Sequence, residues 1–288
     1  MNLAAAALAV AALAGQPSAR EIVEASVDGR IAAVGDFDAA VLSRFVGYPP
    51  NPIVANSTFL SENFVSPFKP NPKFWLKGVD FSCASPWNSA GGRVRAGTAI
   101  SRRHVVFAKH FPLPVGTRIV FVGADGTPSA YYIEKTKALR KGDIMIGALN
   151  AELTPDIHPA KIMPDDWTNH LGLAEGLPVV ALTQEEKASV SELIRLPANL
   201  ACRYVSFQKP KGESRRPYWL AIRSGDSGGP VFVIANDEPI LLLTLTTSMG
   251  GYGVHCFRSE VQSVMDELCP GCRLETFDFG SLRKCNSR

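Results

Sequence analysis

An all-β architecture of antiparallel strands is predicted by three features of this 288-residue chain. From about Val94 onward, short runs of β-branched and apolar residues recur. Glycine and proline break them at close intervals, and a stretch with four prolines and little periodicity, 153–178, divides them into two sets. Such spacing indicates antiparallel barrels or sandwiches, with 153–178 as the bridge between two barrels.

Taken in order, residues 1–14 form an apolar, alanine-rich run too short to span a bilayer, and Ala12-Leu13-Ala14 supplies a small-x-small cleavage pattern. This reads as a signal peptide, although no lysine or arginine precedes it; the competing reading is a frayed helix. Residues 15–80 form an N-terminal extension, proline-rich between Pro49 and Pro72 and without a catalytic signature, read as a pro-segment or a strap across the body. The stretch 97–110 reads as two short strands ending in a histidine. Apolar runs follow at 119–122, 131–133 and 144–146, placing a first barrel at about 81–152. Beyond the bridge, the runs 179–182, 204–207, 231–234 and 241–246 place a second barrel at about 178–255. Residues 185–196 suggest an intervening helix. Val261, Val264, Met265 and Leu268 fall at helical spacing, so 258–268 is expected to be a helix packed on the second barrel, followed by a Cys-rich tail within 256–288.

The formal charge of +3 is small for this length and the basic residues are scattered, so nothing asks for nucleic acid or an anionic membrane. No other segment approaches the length of a membrane span. Six cysteines are even in number, and in an oxidising compartment they would pair. Cys256, Cys269, Cys272 and Cys285 crowd into the tail and read as its staples, which leaves Cys83 and Cys202 for a long-range bridge. Cys269-Pro270-Gly271-Cys272 resembles half of a zinc site or a redox pair. No second Cys-x-x-Cys or His pair completes a tetrahedral set, so no metal is expected.

Chemistry concentrates in Gly225-Asp226-Ser227-Gly228-Gly229-Pro230, where a serine hydroxyl sits in a tight glycine turn. A serine is a poor nucleophile without a base in hydrogen-bond reach and a group that orients the base. His110 and Asp143 are the candidates, 33 residues apart and followed by Ser227 after a further 84. His104 competes for the base but begins the apolar run Val105-Val106-Phe107. Asp125, in the turn-like Ala124-Asp125-Gly126-Thr127, competes for the acid. The motif also satisfies the Gly-x-Ser-x-Gly elbow of α/β-hydrolases, but that fold needs a helix after the serine, and Val231-Phe232-Val233-Ile234 reads as a strand.

With His, Asp and Ser in this order, residues 81–255 resemble the chymotrypsin/trypsin-like serine peptidase family. The serine motif matches at every position; at the histidine, Lys109 and Phe111 depart from the usual alanine and cysteine. The resemblance implies two antiparallel six-stranded barrels with the site between them. It implies a secreted serine endopeptidase working through His110, Asp143 and Ser227, with an oxyanion hole from the N–H groups of Gly225 and Ser227 and no cofactor. It implies Ala221 at the base of the substrate pocket, a wall at Thr247 and Ser248, and a preference for apolar or small residues before the cut. The partner would be a protein or peptide substrate. The alternative is a catalytically silent or self-processing module that acts as a secreted binding or regulatory protein. Family members made as zymogens pair a new N-terminal amine with the aspartate before the serine. Arg30-Ile31-Ala32-Ala33 is a poor copy of such a terminus, so that activation is not carried over and the partner of Asp226 is left open.

Overall fold

The structure, a computed structural model, describes residues 17–42, 57–58, 68–90, 93–172, 175–184, 187–194 and 204–282. The 1–14 segment, Cys202 and Cys285 lie outside them. Two six-stranded antiparallel barrels make up the body. The first comprises β1 (Ala84–Ala90), β2 (Arg93–Ala99), β3 (His104–Ala108), β4 (Arg118–Val122), β5 (Pro128–Ala138) and β6 (Ile144–Leu149), in the order β1-β2-β3-β6-β5-β4. The sheet curls until its edges meet: the Ser85 hydroxyl of β1 donates to the Val120 carbonyl of β4. Phe107, Ile119, Phe121, Ile133, Ile144 and Ile146 fill the interior, each with at most 1 % exposure.

The second barrel is closed, in the order β10-β11-β12-β9-β8-β7. Its strands are β7 (Pro178–Leu182), β8 (Ala188–Leu193), β9 (Tyr204–Gln208), β10 (Pro230–Ala235), β11 (Glu238–Thr247) and β12 (Gly250–Gly253). Asn236 and Asp237 join β10 to β11 with φ of 52° and 64°, the left-handed pair that a two-residue hairpin turn requires. The helix expected over 185–196 is corrected by β8, which pairs with β7 and β9. Every residue of β8 is buried, including Ser189, Ser191 and Glu192, so its polar positions do not mark a solvent face.

Among the described residues, three helices cover the barrels. The first, α1 (Ala19–Leu42), starts at a reciprocal cap: Ser18 Oγ and N–H both donate to Glu21 Oε2, and Glu21 N–H donates back to Ser18 Oγ. These bonds to its charged form hold the Glu21 carboxyl below its ordinary pKa. Val23, Val27 and Ile31, one turn apart, are buried, and the helix lies over β10 and β7. This cover explains why β10 is buried on both faces. Short α2 (Trp167–Leu171) sits beside α1. The last, α3 (Arg258–Leu268), forms over the expected residues but packs against β5 and β6 of the first barrel, not on the second as expected. A 3-10 turn over Val254–Phe257 carries the chain across, and Val261, Val264, Met265 and Leu268 close the first barrel's flank. Of the extension, Trp75 and Leu76 are also in the core, 1 % and 0 % exposed. Among the described residues, no helix is long and apolar enough to cross a membrane.

Candidate active site

Each barrel sends one edge of the site. In the first, β3 ends at Ala108 and the chain turns sharply, Phe111 N–H donating to the Ala108 carbonyl and Lys109 N–H to the Asp143 carbonyl. This presents His110 at the start of β6, beside Asp143. The carboxylate takes two bonds from that one residue, Oδ1 from the His110 main-chain N–H at 2.8 Å and Oδ2 from the ring Nδ1 at 2.5 Å. A carboxylate only accepts, so Nδ1 carries a proton, and in the neutral imidazole Nε2 keeps its lone pair. Facing that lone pair at 2.9 Å is Ser227 Oγ of the second barrel. The Asp143 side chain is 15 % exposed and the His110 ring 45 %, so the acid is sheltered while the imidazole opens to solvent.

Close approach of the two barrels sets this contact, and Gly228 permits it. Its φ is +84°, and a Cβ there would lie 3.0 Å from the Ala96 carbonyl oxygen and 3.1 Å from the Ala108 nitrogen, both in the first barrel. Gly228 N–H and the Leu245 carbonyl tie the turn to β11 at 2.8 Å. Gly225 takes φ +103°, and a Cβ on it would meet the Gln184 side-chain amide at 2.8 Å. Neither the Gly225 nor the Ser227 N–H is committed to an acceptor among the described residues.

Between them, Asp226 points inward and is 2 % exposed. Its carboxylate accepts from two main-chain amides, Gln184 N–H on Oδ1 at 2.8 Å and Arg223 N–H on Oδ2 at 2.6 Å. These bonds fill the place left open by the sequence. They were invisible there because a main-chain donor carries no residue-type signature.

The other candidates disperse. His104 is fully buried, its Nδ1 at 2.8 Å from Ser101 Oγ and its Nε2 at 3.1 Å from the Met265 carbonyl, where it pins α3 to the first barrel. Burial pushes its pKa down to about 4. Asp125 caps its own exposed turn by accepting from Thr127 N–H and Oγ1, bonds that lower its pKa. Ala221 is exposed and borders a cavity of about 120 Å³ with Thr183, Gln184, Leu220 and Asp226. Thr247 and Ser248 sit on the exposed β11–β12 turn next to Met249, itself 59 % exposed. Cys83, Cys269 and Cys272 carry free thiols, so neither the tail staples expected through Cys269 and Cys272 nor the long-range bridge expected of Cys83 is formed. Full burial raises the Cys83 thiol pKa far above its ordinary value. Among the described residues, no cluster of three or more His, Cys, Asp and Glu is arranged to hold a metal ion.

No family model and no curated protein matches the chain. Among solved structures it is similar to human heparin binding protein, with 18% identity and a TM-score of 0.49 over 66% of this chain and 94% of that one. At that distance the likeness carries no argument about activity, and the fold rests on the strand order described above.

Proposed function

We propose that the chain is a serine endopeptidase, and the observation that carries this reading is the unbroken contact Ser227 Oγ–His110 Nε2–Asp143 across the two barrels. Ser227 Oγ attacks the carbonyl carbon of a peptide bond and His110 Nε2 takes the hydroxyl proton. The carbonyl π electrons move to oxygen, and the resulting oxyanion accepts hydrogen bonds from the Gly225 and Ser227 amides. Asp143 holds the Nδ1–H tautomer and stabilises the imidazolium. When the tetrahedral adduct collapses, the C–N bond breaks and His110 returns the proton to the leaving amine. Water then repeats the cycle on the acyl-serine, releasing the acid and restoring the hydroxyl. Each oxyanion donor contributes about 3 to 4 kcal/mol in such a site.

The substrate is a protein or peptide of a secretory compartment, and no cofactor enters the chemistry. A basic side chain before the cut finds no carboxylate at Ala221, and Asp226 is already engaged by two amides. Small or apolar residues are therefore favoured there. A fluorophosphonate probe should label the wild-type chain on Ser227 and leave Ser227→Ala unlabelled. Equal labelling of both would remove Ser227 from the mechanism, and a cleavage profile dominated by Arg or Lys would overturn the specificity.

A further inference from the structure

Between β9 and the serine turn runs a connection, 209–224, whose only regular piece is the 3-10 turn Arg216–Tyr218. Connections of this length move unless something holds them. Here the N-terminal extension supplies the hold at two places. Asp28 of α1 grips Arg215 bidentately, Oδ1 to Nε and Oδ2 to Nη2, both at 2.7 Å. The same guanidinium, 11 % exposed, donates through Nη1 to Glu192 Oε1 and to the Gly176 carbonyl, each at 3.0 Å. Glu192 in turn accepts from Lys211 N–H at 2.9 Å, so the connection is tied to β8 as well. Further along, the Trp75 ring of the extension lies 5.7 Å from the Tyr218 ring. Leu220 N–H then donates to Ser189 Oγ at 2.8 Å, and three residues later Arg223 N–H reaches Asp226 Oδ2.

We infer that the N-terminal extension is a positioning element of the active site: by clamping Arg215 through Asp28 and buttressing Tyr218 through Trp75, it fixes the connection that supplies the Arg223 amide to Asp226 and so keeps the Gly225 and Ser227 amides ready for an oxyanion. The inference rests on the serine-peptidase reading above. It makes residues 17–42 and 68–80 part of the working enzyme, not an inhibitor to be discarded. Bidentate geometry matters, because a planar fork matched to a carboxylate sets the orientation of the chain that bears it.

The experiment follows fluorophosphonate inactivation of the full chain, separating the maximal rate of inactivation from the apparent affinity for the probe. Asp28→Asn should lower the maximal rate about ten- to a hundredfold, the scale of a small misplacement of reacting groups, with the affinity unchanged. Asp28→Glu should recover most of the rate. Glu24→Gln, which removes an ion pair to Arg20 within α1, should leave it unchanged. A folded Asp28→Asn protein that inactivates at the wild-type rate while only its Tm falls would overturn the inference. So would intact-mass spectra in which label appears solely on chains that have lost residues 17–42. A wild-type chain that takes no label in any form, cut or uncut, would instead refute the peptidase reading itself and the inference with it.

Discussion

Replacing Asp143 by asparagine tests the proton geometry of the site most sharply. The carboxylate accepts from two donors on one residue, the His110 main-chain N–H at 2.8 Å and the ring Nδ1–H at 2.5 Å. An asparagine offers one acceptor and one donor in nearly the same shape, so both bonds cannot survive. If the amide oxygen keeps the main-chain N–H, its NH2 faces Nδ1, which must give up its proton; the proton then moves to Nε2 and points at Ser227 Oγ. If the amide flips, its NH2 meets the main-chain N–H donor to donor, which repels and forfeits a hydrogen bond worth about 0.5–1.5 kcal/mol. The first arrangement therefore wins, and it is the one in which the ring cannot take the serine proton. Loss of the correct tautomer in such a site costs about 10⁴ in kcat, which is about 5 kcal/mol of transition-state stabilisation. The expected outcome is a fall of that size in the maximal rate of fluorophosphonate inactivation and of ester turnover. KM and Tm should stay near wild type, because the isosteric side chain preserves packing. An Asp143→Asn protein within about tenfold of wild type at neutral pH would refute the assignment of Asp143 as the orienting acid.

Acid sensitivity of the fold should come from its interior. His104 and His255 both have pKa values pushed down to about 4 by burial; the unfolded chain takes up these protons first, near 6.5. Their contribution is complete above pH 6.5, drains away as pH falls towards 4, and amounts to up to about 3 kcal/mol for each ring. Urea midpoints measured between pH 7 and 4 should fall accordingly, with a shallower fall in His104→Asn; equal slopes would contradict the burial argument. Gly228→Ala should lower Tm and slow serine labelling together, since left-handed backbone costs a side chain about 1–2 kcal/mol and its Cβ strikes the Ala96 carbonyl and the Ala108 nitrogen. Unchanged Tm and labelling would show that the barrels do not approach this closely.

What could be read in advance follows from where the information lies. Ser227, His110 and Asp143 each sit in a short motif at a strand end, so residue type and chain order were enough to nominate them before any contact was seen. The barrels were legible because their strands are apolar and closely punctuated. By contrast, α1 departs from the strap or pro-segment expected over 15–80, although Ser18 and Glu21 form a capping box ahead of Val23, Val27 and Ile31, spaced one turn apart. Helix α3 was located correctly by its apolar spacing, but its docking on the first barrel depends on the buried bond from His104 to the Met265 carbonyl, 161 residues away in sequence. A strand such as β8, with Ser189, Ser191 and Glu192 inside, misleads any reading in which polar residues mark the outside. The supports of Asp226 are main-chain amides and the clamp on Arg215 joins residues 187 positions apart, so no local pattern announces either.

The seating of α1 has a consequence for biosynthesis. The helix is the earliest described stretch to leave the ribosome, yet its resting place on β10 and β7 is made from residues synthesised about 150 or more positions later. Contacts so distant in sequence form slowly. A nascent chain therefore carries α1 undocked until β7 and β10 emerge, and Ser227 itself arrives among those late residues. The contact of Ser227 with His110 therefore forms only once that late barrel has closed.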